Sequence, residues 1–144
     1  MAVEAAQYHA SRLARRPDDY PPRIRGLVEE GLRYPAVEYA DAKDHQRRAE
    51  DDARNLTGGN FATVLTPAAT GPAPAPDTTG NPAMNAPWSF TGVPTVSMPI
   101  GWSADGLPLS AQLVGTERME GLLLEAAAWV ERRAGFEPRP VPLD

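Results

Sequence analysis

The sequence predicts an α/β fold: a helical amino-terminal half, then short strands, then a closing helix. Three observations carry this. Apolar residues recur three and four apart up to Leu56. The period shortens between Phe61 and Val114, and helical spacing returns from Met119 to Val130. At 144 residues the chain is one domain or a piece of one.

In the first helix Ala2, Ala5, Ala6, His9 and Leu13 keep one face, and Pro17 stops the pattern. Asp18 to Pro22 reads as a turn. Pro21 and Pro22 suit the opening of a second helix, because proline lacks only an N–H that is unused there. Its expected apolar face is Ile24, Leu27, Val28 and Leu32. Gly26 and Gly31 weaken it and predict a short element. Pro35 begins a third, longer helix. Tyr39, Ala42, Gln46, Ala49, Ala53 and Leu56 make a narrow stripe of mostly small side chains, suited to close packing. Asp44 with Arg48 and Glu50 with Arg54 are favourable i,i+4 pairs on the opposite surface. Gly58 and Gly59 are the expected stop.

Phe61 to Thr66 is a short apolar run before Pro67 and reads as a buried strand. Residues 67–87 form a long proline-rich loop, with Pro72, Pro74, Pro76, Pro82, Gly71 and Gly80 and no sustained period. Loops of that length are functional or disordered. Val93 to Pro99 and Leu107 to Val114 read as strands joined by a turn at Ser103-Ala104-Asp105-Gly106. Pro94, Pro99 and Pro108 cannot donate to a ladder and belong at strand ends or open edges. The pairing direction stays open. Thr116 is the expected N-cap of the last helix. Met119, Leu122, Leu123, Ala126 and Val130 form its apolar face, and Gly135 is its C′ residue. Phe136 is expected to fold back on Val130, and the tail from Pro138 to be extended.

Net charge is −5 with no basic block, so nothing in the sequence points to nucleic acid or to an anionic membrane surface. The absence of cysteine excludes disulfides and thiolate metal sites. No apolar run is long enough to cross a bilayer, and Met1 to Arg16 lacks the apolar centre of a signal peptide. A cytoplasmic location is the default expectation.

Several constellations could carry chemistry. Gly101 to Gly106 contains a serine, but its glycines do not have the Gly-x-Ser-x-Gly spacing of a nucleophile elbow, and a hairpin turn explains it better. His9 lies on an apolar helix face and reads as a core histidine with a partner. His45 with Asp41, Asp44 and Asp52 could suggest a metal site. Arg47, Arg48 and Arg54 on the same helix favour a solvated charged face. The Pro72 to Pro76 run could dock an aromatic groove, although a rigid loop wall is the better reading.

The segment Thr91-Gly92-Val93-Pro94, Met98-Pro99-Ile100-Gly101, Asp105-Gly106-Leu107-Pro108 and Gln112-Leu113-Val114-Gly115, followed by Leu122-Leu123 with Ala126, resembles the carboxyl-terminal part of an amidase signature hydrolase. Phe61 to Pro67 is similar to the family's strand ending in Thr-Pro, and Tyr34 to Arg48 to the helix before it. The resemblance implies one partial domain over residues 1–144, belonging to an α/β/α fold with a mixed sheet. It implies hydrolysis of carboxylic amides by a Ser–cis-Ser–Lys mechanism without metal or cofactor. Those catalytic residues lie upstream of the matching segment in the family, and none can be placed here. Lys43, the only lysine, sits on a charged helix, and no Gly-Gly-Ser-Ser-Gly-Gly segment is present. The chain alone is therefore expected to be inactive.

By the same resemblance, the segment from Pro82 to Thr91 comes near the substrate pocket, with Asn85 and Trp88 as candidate lining residues. Relatives that bind a charged amine carry an acid near the position of Pro82. Its replacement by proline implies a neutral or aromatic substrate group. The expected partner is the missing catalytic portion or a second copy. The alternatives are an interaction module or one half of a split amidase.

Overall fold

The computed structural model describes residues 1–58 and 63–139. The expected stop at Gly59 and the strand start at Phe61 lie outside them. The chain forms two compact units, Met1–His45 and Gln46–Asp144.

The first unit is helical. Helix α1 spans Ala2–Arg15 and a 3-10 turn follows at Pro17–Asp19. Helix α2 spans Pro22–Arg33, and α3, Ala36–Gly58, begins here and runs into the second unit. Ala6, Leu13 and Val28 form the core, with Tyr20 packed against it. His9 is half-buried, its Nδ1 3.0 Å from the Tyr20 hydroxyl. Glu4 binds the Met1 ammonium at 2.8 Å and Lys43 at 3.6 Å. The hydrogen bond and charge of that ammonium, then Lys43, hold the Glu4 carboxyl below its ordinary range. This contribution is complete above the ordinary carboxylate pKa and fades as pH falls through the lowered value. It is small because solvent screens it.

Helix α2 differs from its expected form. It runs for 12 residues and is not short. Its buried positions are Val28 and Gly31, whereas Ile24 and Leu32 are exposed. Gly31 is the reason: a Cβ there would overlap the Ala2 carbonyl and meet the Ala6 Cβ at 2.8 Å. The glycine lets two backbones touch, and that contact sets which face turns inward.

In α3 the less exposed stripe runs through Tyr39, Lys43, Gln46, Ala53 and Thr57. Ala42 and Leu56, expected inside, are exposed. The Thr57 hydroxyl donates to the Ala53 carbonyl at 3.0 Å, so this polar residue enters the interior already satisfied. Arg54 pairs with Asp51 and, at 3.9 Å, with Glu117.

The second unit contains a three-stranded antiparallel sheet in the order β1-β3-β2. The strands are β1 Val64–Pro67, β2 Thr95–Trp102 and β3 Pro108–Val114. A tight turn links β2 to β3, with Gly106 N–H donating to Ser103 O at 3.0 Å. Pro99 sits on the edge strand β2, next to a register shift between Pro99 and Gly101. That placement agrees with proline's missing donor. β1 was expected to be buried, yet Leu65 is 61% exposed. A strand at the edge of a three-stranded sheet has fewer neighbours to cover it.

Helix α5, Glu120–Ala134, covers one face of the sheet. Leu123 and Ala127 pack on Met98 and Leu113, flanked by Val96, Ala126 and Val130. The other face carries Ala53 of α3 against Val93 and Val114, with Val64 and Trp88 alongside. Thr116 does not cap α5, whose N-cap is Met119. Arg118 takes a left-handed conformation, φ 64°, and a helix cannot run through it. The Thr116 hydroxyl instead donates to the Thr57 carbonyl at 2.8 Å, satisfying the end of α3. Met119 and Leu122 are therefore exposed at the helix start. Gly135 ends α5 in the left-handed conformation, as expected. Phe136 stacks on Trp102, ring centroids 5.0 Å apart, and is not placed on Val130. The aromatic face at the end of β2 offers it a larger flat surface than a valine.

Two substitutions check this architecture by urea unfolding followed by circular dichroism. Gly31→Ala should lower stability by about 1–3 kcal/mol through overpacking. Gly26→Ala, with no atom within 4 Å of the new Cβ, should raise it by roughly 0.5–1 kcal/mol.

Candidate functional site

The proline-rich segment is shaped by a few polar anchors. Residues 71–80 are exposed and form no helix or strand. Asn81 then starts a 3-10 turn, Pro82–Met84, by accepting the Ala83 N–H on its side chain at 3.0 Å. Helix α4, Ala86–Thr91, follows directly. This helix was not expected. Its signals are Pro87 in the first turn and Gly92, φ 69°, at its end. Both read equally well as loop punctuation.

Gln112 holds this region to the sheet. It lies in the middle strand, 1% exposed, and its side-chain amide donates to Met84 O at 2.7 Å and Pro67 O at 3.5 Å. The end of β1 and the 3-10 turn thus share one donor. Ala68 N–H donates to Ser110 O at 3.0 Å, continuing the ladder past Pro67.

Asn85 sits immediately before α4. Its Nδ2 lies 3.4 Å from the Ala68 carbonyl, and its own carbonyl accepts the Ser89 N–H at 3.0 Å. Trp88 is half-buried against Ala53, Val93 and Val114. The two candidates stand nearly one helical turn apart but look to different neighbours, Asn85 to the loop backbone and Trp88 to the core. Gln46 of α3 steadies the same helix by donating to Phe90 O at 2.8 Å.

Beside these anchors lies an open cavity of about 540 Å³. Its described lining includes Pro67, Thr70, Met84, Leu109 and Ser110. Apolar surface dominates, with the Thr70 and Ser110 hydroxyls as the polar side-chain groups among the described lining residues. No carboxylate, imidazole or amine is among them. This wall can enclose an apolar group and offer hydroxyls, but a base and an activated nucleophile must come from elsewhere. The Thr66 hydroxyl, across from Gln112 in the register, is buried without a partner among the described residues. Lys43 belongs to the helical unit, where it pairs with Glu4. Among the described residues no three His, Cys, Asp or Glu side chains converge as a metal site. No described helix is long and apolar enough to cross a membrane.

Neither Asn85 nor Trp88 is among the described lining residues of this cavity, and sequence reasoning did not single out Gln112, Met84 or Ser110. The available signal was Gln112 itself, a polar residue inside the apolar run Ala111-Gln112-Leu113-Val114. A buried amide in such a run must be hydrogen-bonded to something. Gln112→Leu should therefore cost about 1–3 kcal/mol in urea unfolding, because it removes the donor that ties the Met84 and Pro67 carbonyls to the sheet. It should also speed hydrogen exchange selectively between Pro82 and Gly92.

No protein-family profile matches the chain. It is 31% identical over 152 aligned positions to a protein named "Putative amidase AmiD" from Mycobacterium tuberculosis, covering 99% of this chain and 32% of that relative. A solved structure described as an amidase superposes with a TM-score of 0.82 at 26% identity, over 93% of this chain and 33% of the other. A bacterial aryl acylamidase described as an amidase signature enzyme shares the fold, with a TM-score of 0.65 at 22% identity, over 91% of this chain and 32% of the other. The chain thus spans about a third of the length of these proteins. Identity over nearly the whole of this chain, together with the superposition on solved amidases, makes it correspond to the carboxyl-terminal portion of an amidase signature enzyme.

Proposed function

We propose that this chain is the carboxyl-terminal portion of a carboxylic-amide hydrolase. It contributes a wall of the substrate pocket and leaves the bond-breaking groups to the remainder of the domain. One observation carries the reading: the cavity beside the proline-rich segment is walled by Pro67, Met84 and Leu109 and has no titratable group among its described lining residues. In the family resemblance the reacting serines and lysine belong upstream of this segment, so the division of labour is consistent. Pro82, at the start of the 3-10 turn, brings no negative charge. The assembled pocket should therefore prefer neutral or aromatic amides over cationic ones. The fully exposed stretch 71–80 supports the alternative of an interaction module, which would bind a partner through that stretch without any hydrolysis.

The test is turnover of benzamide, acetanilide and a cationic amino-acid amide. The purified chain is assayed alone and then with the amino-terminal two-thirds of the M. tuberculosis AmiD polypeptide. No hydrolysis is expected from the chain alone. The pair should hydrolyse the neutral aryl substrates faster than the cationic one. Serine-reagent-sensitive turnover by the chain alone would overturn the reading, and an inactive but stable pair would favour the interaction module.

A further inference from the structure

Resting on that reading, we propose that Ser110 is the specificity-determining residue of the cavity. It selects a neutral, flat ligand that carries a hydrogen-bond acceptor on the group remote from the scissile amide.

The cavity is a notch at the place where β1 leaves β3. The two strands pair as far as Pro67, opposite Ala111, and one further bond joins Ala68 N–H to Ser110 O at 3.0 Å. β1 has ended by residue 69, while β3 extends past Ser110 to Pro108. The space is lined by Pro67, Thr70 and Gly71 from the departing chain, by Leu109 and Ser110 from β3, and by Met84 from the 3-10 turn.

At this point the ladder is half-made. Val114, Gln112 and Ser110 turn their backbone groups toward β1, opposite Val64, Thr66 and Ala68. A hydrogen-bonded antiparallel pair exchanges two bonds. Ala68 gives its N–H to Ser110, but its own carbonyl accepts from Asn85 Nδ2 at 3.4 Å. Among the described residues no bond returns to it from the Ser110 N–H. The hydroxyl of half-buried Ser110 likewise has no partner among the described residues. Thr57, Thr91, Ser103 and Thr116, by contrast, bond their hydroxyls to backbone groups. Two donors of one residue therefore border the cavity on the side from which β1 has withdrawn. A partly buried donor left unpaired is costly, and an acceptor brought by a ligand relieves that cost.

The lining decides which acceptor. It has no cationic group among the described residues, so a carboxylate would enter an apolar wall without a counter-charge. A neutral ether, carbonyl or nitro oxygen can accept from both the N–H and the hydroxyl. Met84 and Leu109 supply apolar side chains for a ring, and the volume of about 540 Å³ lies within the range of pockets that enclose small ligands. A site whose donors await an acceptor discriminates against the analogue that lacks one, and this gives Ser110 its role in specificity.

The experiment uses the full chain with carbon-13 methionine methyl groups, titrated by NMR with 4-methoxybenzamide and 4-ethylbenzamide. The two differ by an ether oxygen in place of a methylene. Of the four methionines, Met84 alone is among the described lining residues, so its methyl signal reports the site. Both ligands should shift it, with 4-methoxybenzamide binding about tenfold more tightly. Ser110→Ala should reduce that advantage to about threefold, since the backbone N–H remains. Ser110→Thr, which keeps the hydroxyl, should restore it, and circular dichroism checks that both variants fold. Equal affinity for the two ligands in the unchanged chain would overturn the inference. So would equal weakening of both by Ser110→Ala, which would place the amide itself at Ser110. Tighter binding of 4-carboxybenzamide would overturn the neutral class, and an unmoved Met84 signal at millimolar ligand would remove the site. Turnover enters none of these readings, so the proposed function stands or falls separately on the reconstituted pair. An inactive pair with the expected binding pattern would leave Ser110 as a ligand-binding residue and detach it from amide hydrolysis.

Discussion

β3 is the constraint on which the second unit depends. Ala111, Gln112, Leu113 and Val114 are all buried, so this strand is covered on both faces and paired along both edges. Leu113 faces α5, while Val114 faces Ala53 and Val93. Alternation between apolar and polar positions is therefore absent from this stretch. The registers of β1 and β2, the seating of α5 and the position of the 3-10 turn all refer back to these four residues. Within them Gln112 is the polar exception, and its amide turns a strand position into an anchor for two separate chain segments.

That anchor explains how a long proline-rich segment can contribute to a defined cavity. Little in residues 71–80 packs on anything. Order returns where backbone carbonyls meet side-chain amides, at Met84 with Gln112 and at Ala68 with Asn85. A wall built this way has fixed shape and little charge. It suits recognition of an apolar group, whereas hydrolysis needs a nucleophile and a base positioned against the carbonyl.

The helical unit rests on a different principle. Its core is small: Leu13 and Val28 pack together with Ala6, and the helix backbones approach closely where Gly31 meets Ala2 and Ala6. Close backbone approach adds to this apolar packing, and the residue that looked like a weakness in α2 is the contact that orients it.

The sequence by itself determined the kind and order of most elements: three helices, a short strand, two strands joined by a turn and a closing helix ended by Gly135; the antiparallel pairing came from the tertiary structure. Local rules suffice for these, since periodicity, proline and glycine act within a few residues. Tertiary structure decided the rest. The faces of α2 and α3 turned on contacts at Gly31 and Thr57. Thr116 was taken by the end of α3, far away in sequence, so α5 begins at Glu120. Phe136 met Trp102 because β2 ends beside the tail. Helix α4 took shape in a stretch whose proline and glycine signals also fit a loop, with Gln46 holding its Phe90 carbonyl and Trp88 packed on the core. In each case a group had to be satisfied or covered by a residue distant along the chain, and no local pattern encodes which residue that will be.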